Sequence, residues 1–89
     1  ALGIVETFDV ASGLLSVDAS CKAAEVAVVE VRLAAGLGGK AYWVVTGELY
    51  DVEAAMEAAE GILSDHQLVR TEIIARPHPD MLSGVGYPE

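Results

Sequence analysis

The sequence predicts an α+β fold: a four-stranded antiparallel sheet with two helices on one face. Three observations predict it. Four short segments are rich in β-branched and aromatic residues, and two longer segments place apolar residues at helical spacing. Their order is strand, helix, strand, strand, helix, strand. No linker, internal repeat or low-complexity tract divides the 89 residues, so they make one domain.

The first strand is Leu2 to Thr7, with weak alternation. Asp9 then offers an N-cap to the first helix. Val10, Leu14, Val17, Cys21 and Ala24 follow at spacings of four and three and define one apolar helical face. Cys21 lies on that face and reads as a small buried thiol, with no second cysteine to work with. In the second strand, Val26 to Leu33, Ala27, Val29, Val31 and Leu33 alternate with Val26, Val28, Glu30 and Arg32. One of its faces turns polar toward the end. The third strand, Ala41 to Val45, is apolar on both faces, so both are expected to be covered.

Asp51 is the expected N-cap of the second helix, with Glu53 in its first turn. Val52, Ala55, Met56, Ala59, Ile62 and Leu63 form its apolar stripe. Glu53, Glu57, Glu60 and Ser64 lie opposite as a solvated face. They do not form a cation site, because residues on an exposed helix rarely converge on one ion. His66 is expected at the end of this helix, where it would favour the dipole. The fourth strand is Leu68 to Ala75, and Arg76-Pro77-His78-Pro79-Asp80 ends regular structure. This is the split βαβ, ferredoxin-like pattern, βαββαβ, which hosts many functions and settles none.

Composition narrows the functions. A net charge of −9 argues against a nucleic-acid partner. No apolar run reaches the roughly 18 residues that span a bilayer, and no basic segment marks a signal peptide, so no membrane partner is expected. A single cysteine excludes an internal disulfide and suits a reducing cytosol. Yet 53% of the chain is hydrophobic, and its mean hydropathy is +0.42. A chain this short buries only about 60–65% of its unfolded surface. The excess apolar material is expected between subunits.

The glycine-rich stretch between the second and third strands, Leu33-Ala34-Ala35-Gly36-Leu37-Gly38-Gly39-Lys40, is the candidate functional loop. Its glycines let backbone approach another group closely. It is not a P-loop: Ala34 stands where that motif has its first glycine, and Ala41 replaces the hydroxyl residue after the lysine. Nor does a helix follow it. Catalysis needs a nucleophile, base or metal set brought together. His66 and His78 are far apart in the pattern and lack partners at ligand spacing, so the sequence implies no enzyme, no metal site and no cofactor.

Ala1-Leu2-Gly3-Ile4-Val5-Glu6-Thr7, Asp18-x-x-x-Lys22-Ala23-Ala24 and Ala75-Arg76-Pro77-His78, in this order, resemble the bacterial microcompartment (BMC) shell-protein domain over residues 1–82, with 83–89 as a tail. Gly36 to Tyr42 looks most like one half of the tandem-domain, trimeric shell proteins of propanediol-type compartments. The resemblance implies a structural shell protein in the bacterial cytoplasm that self-assembles into cyclic hexagonal tiles. The tile would be a hexamer, or a pseudo-hexamer if the domain is half of a tandem chain. Other shell proteins would be its partners, and small metabolites would pass a central pore. It assigns Gly36, Leu37, Gly38, Gly39 and Lys40 to the pore lining, with Leu37 as a gate, and Lys22 and Arg76 to the tile edge. Some tandem relatives hold an iron–sulfur cluster through a loop cysteine. This loop has none, so no cluster is implied. Two other readings stay open. One is a ferredoxin-like regulatory domain binding a small anion at its glycine loop, and the other is an enzyme whose site forms between subunits.

Overall fold

A computed structural model describes residues 1–33 and 40–75. Its elements are β1 (Leu2–Thr7), α1 (Val10–Ala23), β2 (Ala27–Leu33), β3 (Ala41–Thr46), α2 (Leu49–Ile62) and β4 (Leu68–Ile74). The strands form one sheet in the order β2-β3-β1-β4, and every neighbouring pair is antiparallel. This is the βαββαβ architecture expected from the sequence. Alternation along β1 puts Gly3, Val5 and Thr7 on one face. A Cβ at Gly3 would meet Met56 and Val52 of α2, and one at Gly13 of α1 would meet Thr7 and Ala41, so both helices cover that face.

The core joins Val5, Trp43 and Val45 of the sheet to Val52, Ala55, Met56 and Ala59 of α2. On the opposite face Leu2 and Val44 are also buried, in keeping with a central strand that has no polar side. Around them that face is charged. The Tyr42 hydroxyl donates to Glu30 Oε2 at 2.6 Å, Arg32 Nε lies 3.5 Å from Glu30 Oε1, and Arg70 pairs with Glu6. The bond to Glu30, then burial and the charge of Glu30, hold the Tyr42 phenol above its usual range; Arg32 opposes them.

Helix α1 departs from expectation. Its buried residues are Ser12, Gly13, Ser16 and Ser20, while Leu14, Leu15 and Cys21 are exposed. The stripe through Val10, Leu14, Val17 and Cys21 is therefore a flank rather than the inward face. Only Val17 and Ala24, partly buried, pack against the core, and Cys21 is not a buried thiol. The reason is Trp43. Its ring fills the space under α1, and its buried indole N–H needs an acceptor. Ser16 Oγ accepts from Trp43 Nε1 at 2.9 Å and donates to Ser12 O at 2.7 Å. Ser20 Oγ donates to Ala55 O of α2 at 2.9 Å. Small residues also let α1 sit close: a Cβ on Gly13 would lie 3.0 Å from Ala41 Cβ. Among the described residues, no buried side-chain polar atom lacks a partner.

The start of α1 is as expected: Asp9 caps it, accepting from Ser12 N at 2.7 Å. That bond, then the one from the Ser12 hydroxyl, holds the Asp9 carboxyl below its usual range. Helix α2 differs at both ends. It begins at Leu49 with Glu48 in the cap position and no side-chain cap bond, so Asp51 lies in the first turn and is not the cap. Ile62 is exposed, and Leu63 is already past the helix. His66 lies in a turn beyond that end and has no place on the helix dipole.

Gly61 sits in the last turn of α2, and a methyl group added there would meet no atom within 4 Å. Gly61→Ala is therefore expected to stabilise the fold by about 0.5–1 kcal/mol through backbone entropy. Urea denaturation checks it, and a lower midpoint than the parent's contradicts it.

Candidate functional site

The glycine loop connects β2 to β3, and Leu33 pairs with Ala41 across that connection. Both ends of the loop are thereby fixed at one end of the sheet. Thr7 also pairs with Ala41, so the β1–α1 turn stands at the same end. This register brings Lys40 beside Phe8, with its ammonium 5.8 Å from the ring centroid, inside cation–π range. Lys40, expected at the pore, is half-buried and leans on Phe8. Gly36, Leu37, Gly38 and Gly39 lie outside the described residues.

Lys22 lies at the other end of the domain. Helix α1 starts beside the loop anchors and runs 14 residues, which carries its last turn about 20 Å away at 1.5 Å per residue. Lys22 Nζ meets Asp18 Oδ2 at 2.8 Å, one helical turn earlier, and both side chains are largely exposed. The hydrogen bond to Asp18, then its charge, holds the Lys22 ammonium above its usual range. Its place in the last turn also suits the negative end of the helix dipole. Arg76 lies outside the described residues. The strand leading to it pairs Ile74 with Leu2, and Leu2 pairs with Thr46, at the end of the sheet where α1 finishes and β2 begins. The topology thus separates the two sets of candidate residues. The loop anchors with Lys40 share one end, and Lys22 shares the other with the chain entering Arg76.

Among the described residues no group of three His, Cys, Asp or Glu could hold a metal ion, and no pocket opens. Glu53, Glu57 and Glu60 remain exposed on α2. No described helix is long and apolar enough to cross a membrane. What sequence reasoning missed is the exposed apolar surface of α1 and the outer strands: Leu14, Leu15, Val28, Val31, Leu33 and Ile73. The serine spacing at positions 12, 16 and 20 was the available signal for α1, since it marks a second helical face.

Comparison with known proteins gives concordant matches. The BMC domain family matches residues 1–77. The bacterial microcompartment shell protein PduT of Citrobacter freundii is 43% identical over 82 residues, which are 91% of this chain and 45% of that protein. A crystal structure of a microcompartment protein from Desulfitobacterium hafniense superposes with a TM-score of 0.85 at 37% identity, over 93% of this chain and 46% of that one. The chain thus spans less than half the length of each of these relatives.

Proposed function

Because the chain belongs to the BMC domain family, we propose that it is a structural tile of a bacterial microcompartment shell, closing into a cyclic hexagonal disc with a central pore. Its role is structural rather than catalytic, as in the family's shell proteins. The observation that carries this reading is the separation of the glycine-loop anchors from Lys22 at opposite ends of the domain. A tile needs a centre and a rim, and the fold offers one at each end. In this reading Gly36, Leu37, Gly38, Gly39 and Lys40 line a pore for small polar metabolites. The small loop residues let several backbones crowd about one axis, and Leu37 narrows the passage. Lys22 and Arg76 meet neighbouring discs and other shell proteins at the rim, in the bacterial cytoplasm. If the native protein carries two such domains, the disc is a pseudo-hexamer.

Native mass spectrometry with electron microscopy of concentrated protein tests this. Six domains per disc and extended hexagonal sheets are expected. Lys22→Asp should leave the disc intact but abolish sheets under the parent's conditions, because a small polar contact repeated around the rim acts through multiplicity. A protein that remains monomeric at all concentrations contradicts the tile. A Lys22→Asp variant that still forms sheets removes Lys22 from the rim.

A further inference from the structure

The two strands that carry the glycine loop are held unequally. Strand β3 is gripped at its loop end. Ala41 is fully buried, a Cβ on Gly13 of α1 would lie 3.0 Å from the Ala41 Cβ, and the Thr7 hydroxyl lies 3.4 Å from the Ala41 carbonyl oxygen. Strand β2 is an outer strand, whose neighbour among the described strands is β3 alone. Between Val28 and Glu30 it sets two residues against one of β3, a bulge that interrupts the ladder. Beyond the bulge, Glu30 to Leu33 run to the loop, paired with Val44 to Ala41. On their helix side Val31 and Leu33 are 38% and 41% exposed, so packing holds this stem weakly. The opposite face holds it better. The Tyr42 hydroxyl donates to Glu30 Oε2 at 2.6 Å, diagonally across the two strands. Arg32, directly opposite Tyr42, lies 3.5 Å from the other carboxylate oxygen. The Glu30 side chain is 17% exposed and that of Arg32 is 65% exposed. A bond this short onto a carboxylate is charge-assisted, the stronger class of hydrogen bond, whereas an ion pair with an exposed guanidinium contributes little.

We propose that Tyr42 and Glu30 are the positioning pair of the glycine loop: their bond fastens the loose β2 stem to the fixed β3 stem and so sets where the chain enters the loop. Tyr42 stands one residue pair inside the last pair before the loop, Leu33–Ala41, which is where a tie has the most control over the stem. Tyr42 and Glu30 act through the stem and not by touching a solute. The purpose of the tie rests on the tile reading, since the place of each loop would set the opening of a pore. The contact itself belongs to the single domain.

Hydrogen exchange read by mass spectrometry tests the pair on the whole chain in dilute solution. The other outer strand, β4, is the internal control. Tyr42→Phe keeps the ring and drops the hydroxyl. Its β2 amides (27–33) should exchange about tenfold faster than the parent's while its β4 amides (68–74) keep the parent's rate, because exchange follows the population of the locally open form. Glu30→Ala should do the same, and the double variant should do no more than either single one, as expected for two halves of one contact. Glu30→Gln keeps an acceptor oxygen and should retain most of the protection. In discs viewed by electron microscopy, Tyr42→Phe should preserve the disc and weaken the density of the glycine loop at its axis. Equal acceleration of β2 and β4 means a loss of overall stability and overturns the pair. So does β2 exchange at the parent's rate, or a double variant in which the two single effects add. Discs that keep the parent's loop density despite faster β2 exchange overturn the role of the pair in the pore. A parent that forms no discs overturns the tile reading, while the exchange comparison still decides the tie.

Discussion

Trp43→Ala is expected to destabilise the domain by about 3–5 kcal/mol, the range for emptying a large aromatic site in a core. Trp43 is fully buried and is the largest side chain in the core. Its ring spans the space between sheet and helices, and its indole nitrogen is tied to Ser16 of α1. Domains of this size hold about 5–15 kcal/mol in total. The loss should therefore lower the melting temperature by at least about 12 °C, at roughly 4–8 °C per kcal/mol. Far-UV circular dichroism measures it, since the chain has no other tryptophan to report by fluorescence. Trp43→Phe separates two effects. It keeps most of the volume but drops the N–H, while Ser16 still donates to Ser12 O. It should cost clearly less than the alanine variant. An alanine variant that melts within a few degrees of the parent would mean the core is organised elsewhere.

The element order was legible because the two periods, two and three-to-four, hardly overlap along the chain. Strand β3 was legible in more detail: an apolar run without a polar face had to be covered on both sides, and Trp43 and Val44 are. Helix α1 was misread because apolar spacing identifies a stripe without saying what it touches. Two faces competed, one of Val10, Leu14 and Val17 and one of Ser12, Ser16 and Ser20. Burial followed the hydrogen-bond demand of a residue on another element. No local pattern in α1 carries that information, since the deciding partner lies 27 residues away. The α2 cap failed for a related reason: Asp51 has cap chemistry, but the chain after Gly47 is already helical at Leu49.

The candidate site was legible only in part. Asp18 and Lys22, which the resemblance picked out, stand one helical turn apart and their side chains meet, a contact not read from the sequence. Lys40 was placed by its neighbours in sequence, yet its contact with Phe8 comes from β1–β3 register, which composition does not encode. The excess of apolar residues suggested surface covered by another subunit, and part of it is exposed in the domain alone. Its position on the outer strands and the α1 flank became visible only once the serine face was seen to turn inward.

Ser16→Val is the sharper test of that inverted helix. By the rule that apolar residues belong inside, valine at a fully buried position should stabilise. The geometry predicts the opposite. Removing the hydroxyl leaves the Trp43 N–H buried without an acceptor, at a cost of about 1–3 kcal/mol. The extra methyl enters where α1 already lies close to the sheet, adding about 1–3 kcal/mol of overpacking. Together these outweigh the roughly 0.8 kcal/mol gained for each of valine's two methyl groups, so a net loss of stability is expected. Ser16→Ala isolates the lost acceptor, and Ser16→Thr keeps the hydroxyl while adding the methyl. Urea melts followed by the single tryptophan's fluorescence report both stability and the indole's surroundings. If Ser16→Val and Ser16→Ala both raised the midpoint, the serine face would be a tolerated polar accident. The apolar stripe of α1 would then lose its reason for facing outward.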